Sequence, residues 1–322
     1  MNEASSKFVD NLAIDKLLNE KLKKVNHSPK HSLFVPAEGL FTKKTNSLNF
    51  GRVNYIKNSS TNKKIEIPSF ETSTYYHENN MIHLYYHPAQ NARYNILFVH
   101  GLFDDNMLNY GYLFKLLNDL RVNVYFMTMP YHFERKPKAS LFSGEYFFSG
   151  DIFRTQNAFK QAVLDIEASF QFIEKENDLP NILVGFSMGG CVSLRNYILN
   201  KQKTPTFLIN PVTDLCEVLW DSPLFVTIGS DLINSGFDMK KCENIFLEMD
   251  PSKNLDSNFS NSRIAMVYSK FDQVIDEKKY KRFIDMAGIK NAFAYHSGHL
   301  NVLRVPKLAK DIYDFAEALS IQ

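Results

Sequence analysis

Cysteine is scarce in this chain. Cys191, Cys216 and Cys242 are the only three, none in a C-x-x-C pair, and so wide and odd a spacing argues against a disulfide framework or a structural zinc site. Long apolar runs are missing too. No stretch approaches the about 20 residues that a membrane-crossing helix needs, and Asp10 and Asp15 interrupt any apolar core of a signal peptide. A soluble, cytoplasmic protein without an integral membrane segment is the expectation. Nor does one sign of charge prevail: the formal net charge is +2, which gives no reason to expect a nucleic-acid partner.

Apolar residues, by contrast, are plentiful. They make up 44% of 322 residues, against 22% charged, which permits one large core with insertions or one domain plus a cap. One domain with insertions is the favoured organisation. At the start, residues 1–26 set Phe8, Leu12, Leu18, Leu22 and Val25 among acidic residues and lysines, the pattern of an amphipathic helix with a solvated charged face. Contact of that helix with a lipid surface is the lesser alternative.

From Phe34 to Tyr86, segments such as FGRVNYI, KIEIPSF and MIHLYYH are rich in β-branched and alternating residues and are broken by Asn, Ser and Pro, as in antiparallel strands. The pattern then changes. Continuous apolar strands at NILFVHGL, VNVYFMTMP, NILVGF, TFLINPV and RIAMVYS, with a shorter one at NAFAYHSGH, alternate with helical stretches near Met107–Leu120 and Ile152–Lys175. Strand–helix alternation of this kind indicates the α/β class, a mostly parallel sheet with helices on both faces; eight strands are expected.

The chain is organised around residues 181–190, NILVGFSMGG, in which Gly185, Ser187 and Gly189 spell G-x-S-x-G. The spacing demands a strand-to-helix turn so tight that the central Ser is strained, and side chains at the flanking glycines would strike the neighbouring strand and helix. The hydroxyl is thereby presented to a substrate. A bare match is weak, but here an apolar strand precedes it and the helix-compatible run CVSLRNYILN follows. Cys191, just past the turn, points into helix packing and is structural.

On these motifs and their order, residues 80–320 resemble an α/β-hydrolase-fold serine hydrolase of the esterase/lipase kind. PYHFERKP and SLFSGEYFFSGD further resemble uncharacterised bacterial hydrolases of that fold. The resemblance implies residues 1–80 as an N-terminal helix and leading strands, and 81–322 as the catalytic domain. A helical cap would be inserted at 213–260, between the sixth and seventh strands.

A Ser hydroxyl is a poor nucleophile until an imidazole takes its proton, and the imidazole needs a carboxylate to orient it. The expected order Ser, acid, His is met by Ser187, Asp272 in the loop SKFDQVI, and His299 in SGHLNVL. Asp272 is preferred to Asp214, the rival acid after TFLINPV. Asp276 is assigned to capping the following helix. His296 and His299 form H-x-x-H on a strand end with no third ligand, so no metal is expected. For the oxyanion hole, the backbone amide of Met188 is one candidate donor; Leu102, in His100-Gly101-Leu102-Phe103, is the other, with Phe103 second choice. His100 is assigned to supporting that loop.

Two segments are candidates for shaping the pocket. Residues 213–260 carry Leu219, Trp220, Phe225, Ile233, Phe237 and Phe246, which suit either an apolar acyl site or packing onto the body. In the loop 131–150, Glu134, Arg135 and Glu145 are expected to pair with one another. The implied function is hydrolysis of a carboxylic ester or related acyl compound, a small-molecule substrate with an apolar group, through an acyl-enzyme and without cofactor. A thioesterase, amidase or peptidase, an acyltransferase, or a non-catalytic ligand-binding homologue remain the alternatives.

Overall fold

The computed structural model describes residues 2–24, 39–41, 47–57, 63–201 and 203–320. Val25 and Phe34, invoked above, lie outside them. Nine strands form one sheet in the order β1-β2-β3-β5-β4-β6-β7-β8-β9. They are β1 (Asn54–Lys57), β2 (Lys63–Pro68), β3 (Met81–His87), β4 (Tyr94–Val99), β5 (Val122–Met127), β6 (Asn181–Phe186), β7 (Thr206–Ile209), β8 (Ile264–Ser269) and β9 (Asn291–Tyr295). The sheet exceeds the expected eight by one, because each of the leading segments pairs, β1 included, at the edge. β1, β2, β3 and β5 pair antiparallel in succession, whereas β5, β4, β6, β7, β8 and β9 run parallel.

The apolar runs of the central strands have a simple cause. Every residue of β4 and β5 is buried, because helices cover both faces of the parallel sheet and leave no side for alternating polar residues. Ile96 and Phe98 point to the layer of α2 (Gly111–Asp119) and α9 (Pro306–Ser320), packing near Phe114 and Ile312. Leu97 and Val99 point to the opposite layer, against α3 (Ile152–Glu176) and α4 (Met188–Leu199). Three shorter helices, α5 (Leu215–Asp221), α6 (Val226–Asn234) and α7 (Met239–Phe246), lie between β7 and β8, and α8 (Glu277–Ala287) follows β8.

α1 (Glu3–Glu20) departs from expectation. Its supposed apolar face is largely in solvent, with Phe8 65% and Leu12 58% exposed, while Ser6, Asp10 and Ile14 are buried. α1 docks through the Asp10 carboxylate onto backbone amides as well as through apolar side chains, Leu17 and Leu18 packing against the core.

Glu134, Arg135 and Glu145 do not pair with one another, which corrects the expected mutual pairing: Glu134 and Arg135 find partners outside the loop 131–150 and Glu145 finds them within it. Arg135 Nη1 meets Asp165 Oδ2 of α3 at 2.8 Å, both residues fully buried. Glu134 accepts the Tyr85 hydroxyl, and Glu145 Oε2 accepts Ser140 Oγ at 3.0 Å. For Arg135 and Glu145 burial explains the choice, since a charge out of water needs a fixed partner.

Candidate active site

β4 lies between β5 and β6, so the chain leaves it in one direction and later returns on its other side. In an open parallel sheet, the crevice at the carboxyl ends of the strands beside such a reversal is where ligands bind. The loops after β4 and β6 meet there.

Ser187 stands between β6 and α4 with φ 55° and ψ −118°, a strained conformation for a residue with a Cβ. Its neighbours allow it. A Cβ at Gly189 would overlap the carbonyl oxygens of Val99 and His100, and one at Gly185 would overlap Ser193 Oγ and the Gly189 carbonyl. Ser187 N donates to Ile209 O at 2.9 Å, and Ser187 O accepts from Val212 N at 3.1 Å, pinning the turn to β7 and the loop beyond it.

His299 Nε2 lies 2.9 Å from Ser187 Oγ, and His299 Nδ1 lies 2.7 Å from Asp272 Oδ2. The three residues named from the sequence thus meet. Asp272 Oδ1 accepts the amides of Val274 at 2.7 Å and Ile275 at 2.9 Å, while Oδ2 also accepts the Tyr280 hydroxyl at 2.8 Å. With both oxygens engaged, the carboxylate is fixed toward Nδ1. Burial pulls the His299 pKa down, but the charges of Asp272, Asp10 and Asp104 and the hydrogen bond to Asp272 outweigh it, so it stands above its ordinary value.

The rival assignments separate cleanly. Asp214 caps α5 through Glu217 N at 2.8 Å and accepts Ser252 Oγ at 3.1 Å, turned to partners other than His299. Asp276 caps α8 through Lys278 N at 2.8 Å. His296 is exposed, with Nε2 3.0 Å from Lys270 Nζ. Cys191 is buried, and burial pushes its thiol pKa up, away from a nucleophilic thiolate. Among the described residues, no group of three or more His, Cys, Asp or Glu could hold a metal ion. No helix among them is long and apolar enough to cross a membrane.

The two residues expected to supply oxyanion amides both line this crevice. Met188 is the first residue of α4, so its N–H has no intrahelical acceptor. Leu102 lines the crevice with Ser187, and its amide donates to nothing among the described residues. Phe103, the second choice, is engaged: its N–H donates to His132 Nε2 at 3.2 Å. His132 can accept because burial drives its pKa down to about 3 and it donates from Nδ1 to Pro130 O at 2.8 Å. His100 is fully buried, donating from Nδ1 to Gly101 O at 2.7 Å and accepting Met129 N at 3.0 Å, a loop support.

No protein-family model matches the sequence, and no curated protein matches it. Solved structures do resemble the whole architecture. An acetyl xylan esterase from Paenibacillus sp. R4 superposes with a TM-score of 0.58 at 14% identity, over 83% of this chain and 88% of that one. An alpha-beta hydrolase from Vibrio vulnificus gives 0.55 at 14% identity, over 80% of this chain and 81% of that one. The chain has the α/β-hydrolase fold. An esterase from Pyrococcus furiosus is similar at the same level, with a TM-score of 0.53 and 12% identity over 82% of this chain and 97% of that one.

Three residues beside the candidate site carried no role in the sequence reading. Tyr280 and Asp104 surround the carboxylate and imidazole, and Asp10 reaches them from the opposite end of the chain. Tyr280 lies one helical turn into the helix that Asp276 caps, a signal too generic to single it out. Asp10 offers no sequence signal at all.

Beside Ser187 lies a cavity of about 60 Å³ lined mainly by apolar side chains, among them Ile14, Leu17, Val212, Leu224, Phe225 and Val274. The segment 213–260 contributes to it and to packing at once. Leu224 and Phe225 face the cavity, while Phe225 and Phe246 stack near Phe148, with ring centroids 5.1 and 6.0 Å away.

Proposed function

We propose that this α/β-hydrolase is a serine esterase that cleaves a small carboxylic ester through an acyl-enzyme on Ser187. One observation carries the reading: Ser187 Oγ, His299 and Asp272 form an unbroken run of contacts of 2.9 and 2.7 Å beside a cavity that Leu102 and Met188 also line. Its fold neighbours, an acetyl xylan esterase and an esterase among them, support the same chemistry.

The steps follow from that geometry. Ser187 Oγ attacks the ester carbonyl carbon as its proton passes to His299 Nε2, and Asp272 steadies the imidazolium through Nδ1–H. The oxyanion that forms takes hydrogen bonds from the Leu102 and Met188 amides, which need no reorganisation at that moment. Collapse breaks the bond to the alcohol oxygen, and the alcohol leaves with the proton from His299. Water then repeats the cycle on the acyl-enzyme, giving up a proton to His299 and releasing the acid and Ser187. Both half-reactions balance with water as the only co-reactant.

Apolar lining of the cavity supports an apolar acyl group. On this reading residues 81–322 are the catalytic body, 213–260 its cap and 1–80 the leading element. The test is a panel of oxygen esters, thioesters and amides sharing one acyl group. Turnover of the esters above the other two is expected; no turnover of any ester by folded protein contradicts it.

A further inference from the structure

α1 meets the site through a buried carboxylate. Asp10, fully buried, accepts His299 N at 2.6 Å and Gln273 N at 3.2 Å on Oδ2, and Leu300 N at 3.1 Å on Oδ1. It therefore joins the loop that carries Asp272 to the loop that carries His299. The fit is close. A Cβ at position 298 would lie 2.6 Å from Asp10 Oδ2, so Gly298 is what admits the helix, and Asn301 Nδ2 adds a bond to Ser6 Oγ at 3.4 Å.

One face of α1 lies across two adjoining cavities. Asp10, Ala13, Ile14 and Leu17 line the cavity of about 60 Å³ that contains Ser187. Ser5 and Val9, one turn earlier, line a second of about 270 Å³ with Asn109 and Arg304; Asp104, Phe186 and Leu300 border both. An ester needs two directions of exit from its carbonyl, one for the acyl chain and one for the alcohol. The smaller cavity, lined by Ser187, Leu102 and Met188, has room for about four to six water-sized groups, at 10–15 Å³ for each.

We propose that α1 is a built part of the active site: Asp10 positions the loops of Asp272 and His299, and Ile14 and Leu17 close the acyl cavity to all but short chains. An acyl group of about two to four carbons fills the room available. The inference rests on the reading that Ser187 is acylated. Asp10 is a positioning residue, acting on His299 through the backbone and through its charge.

The charged groups that face His299 are Asp272, Asp10 and Asp104. Asp10 itself is raised above its ordinary pKa by burial, opposed by His299 and the amides it accepts. Removing its charge disfavours the imidazolium, lowers the His299 pKa and leaves the neutral base available at lower pH.

The experiment uses the full chain with p-nitrophenyl acetate, butyrate, hexanoate and octanoate, for wild type, the double variant Ile14→Ala/Leu17→Ala, and Asp10→Asn. In wild type, kcat/KM is expected to fall about tenfold or more beyond butyrate, the penalty of overfilling a packed site. The double variant should raise the hexanoate-to-acetate ratio of kcat/KM by about tenfold. Asp10→Asn should lower kcat more than it changes KM, shift the acid limb of the pH profile to lower pH and leave the chain-length preference as it is. If that variant does not fold, Asp10→Glu is read instead: it keeps the charge, so the acid limb stays while kcat falls. Octanoate turned over as well as butyrate, a preference unmoved by the double variant, or an acid limb unmoved in Asp10→Asn would overturn the proposal. Fluorophosphonate labelling of wild type separates the failures. A labelled Ser187 with a flat chain-length profile defeats the role of α1 alone; an unlabelled Ser187 defeats the esterase reading beneath it.

Discussion

Tyr280 donates its hydroxyl to Asp272 Oδ2 at 2.8 Å, the same oxygen that lies 2.7 Å from His299 Nδ1. Burial raises the phenol pKa well above its ordinary value, so Tyr280 remains a donor at every working pH. Tyr280→Phe removes that bond and leaves Asp272 more basic toward His299. The acid limb of kcat/KM is expected to move to higher pH, with kcat about tenfold lower and stability reduced by about 1–2 kcal/mol. An acid limb that stays in place in this variant would show that the hydroxyl only fills space.

The wild-type profile carries its own sign. The general base must be neutral, and His299 holds its proton more tightly than the ordinary 6.5. Activity should therefore rise with pH along a limb centred above 6.5. The stability that His299 contributes runs the other way, being fully present below 6.5 and lost as pH rises through its folded value. Paired pH titrations of kcat/KM and of unfolding free energy check both.

Asp104 gives a second pH dependence. Burial lifts its pKa from 3.8 to about 7, against the pull of Tyr110 and the Gly101 amide. Stability from this group is full below 3.8 and lost as pH rises through about 7. Asp104→Asn keeps an oxygen for Gly101 N and the Tyr110 hydroxyl and cannot ionise. Urea unfolding should rank the variant higher relative to wild type at pH 8 than at pH 5; the same difference at both would contradict the assignment.

How much of this was open to a reader of the sequence depended on the physical signal. The parallel core was legible because β4 to β8 are buried on both faces and so write themselves as apolar runs. Ser187 was legible because its tight turn demands Gly185 and Gly189, and Asp272 and His299 because each follows a recognisable strand. α1 was misread for the opposite reason. Pattern arguments assume that a helix buries its apolar residues, whereas α1 exposes Phe8 and Leu12 and buries Asp10, whose carboxylate is met by backbone amides. The Arg135–Asp165 pair escaped likewise, since nothing local in PYHFERKP points to a carboxylate on α3.

That pair supplies a stability test away from the chemistry. Arg135 also donates to Thr128 O at 2.8 Å and Asn79 O at 2.9 Å, and Asp165 accepts Ser69 Oγ at 2.6 Å. Arg135→Ala strands a buried carboxylate and should cost about 3–5 kcal/mol in urea unfolding. A loss under about 1 kcal/mol would mean that Asp165 is protonated and the pair is not ionic.

The central claim is that Ser187 is the nucleophile, and fluorophosphonate labelling with mass-spectrometric site mapping tests it most directly. Wild type is expected to be labelled on Ser187 alone, and Ser187→Ala to lose both labelling and ester turnover, the latter by about 10⁴-fold or more, while unfolding at the wild-type urea midpoint. Undiminished labelling or turnover in a folded Ser187→Ala protein would contradict the account.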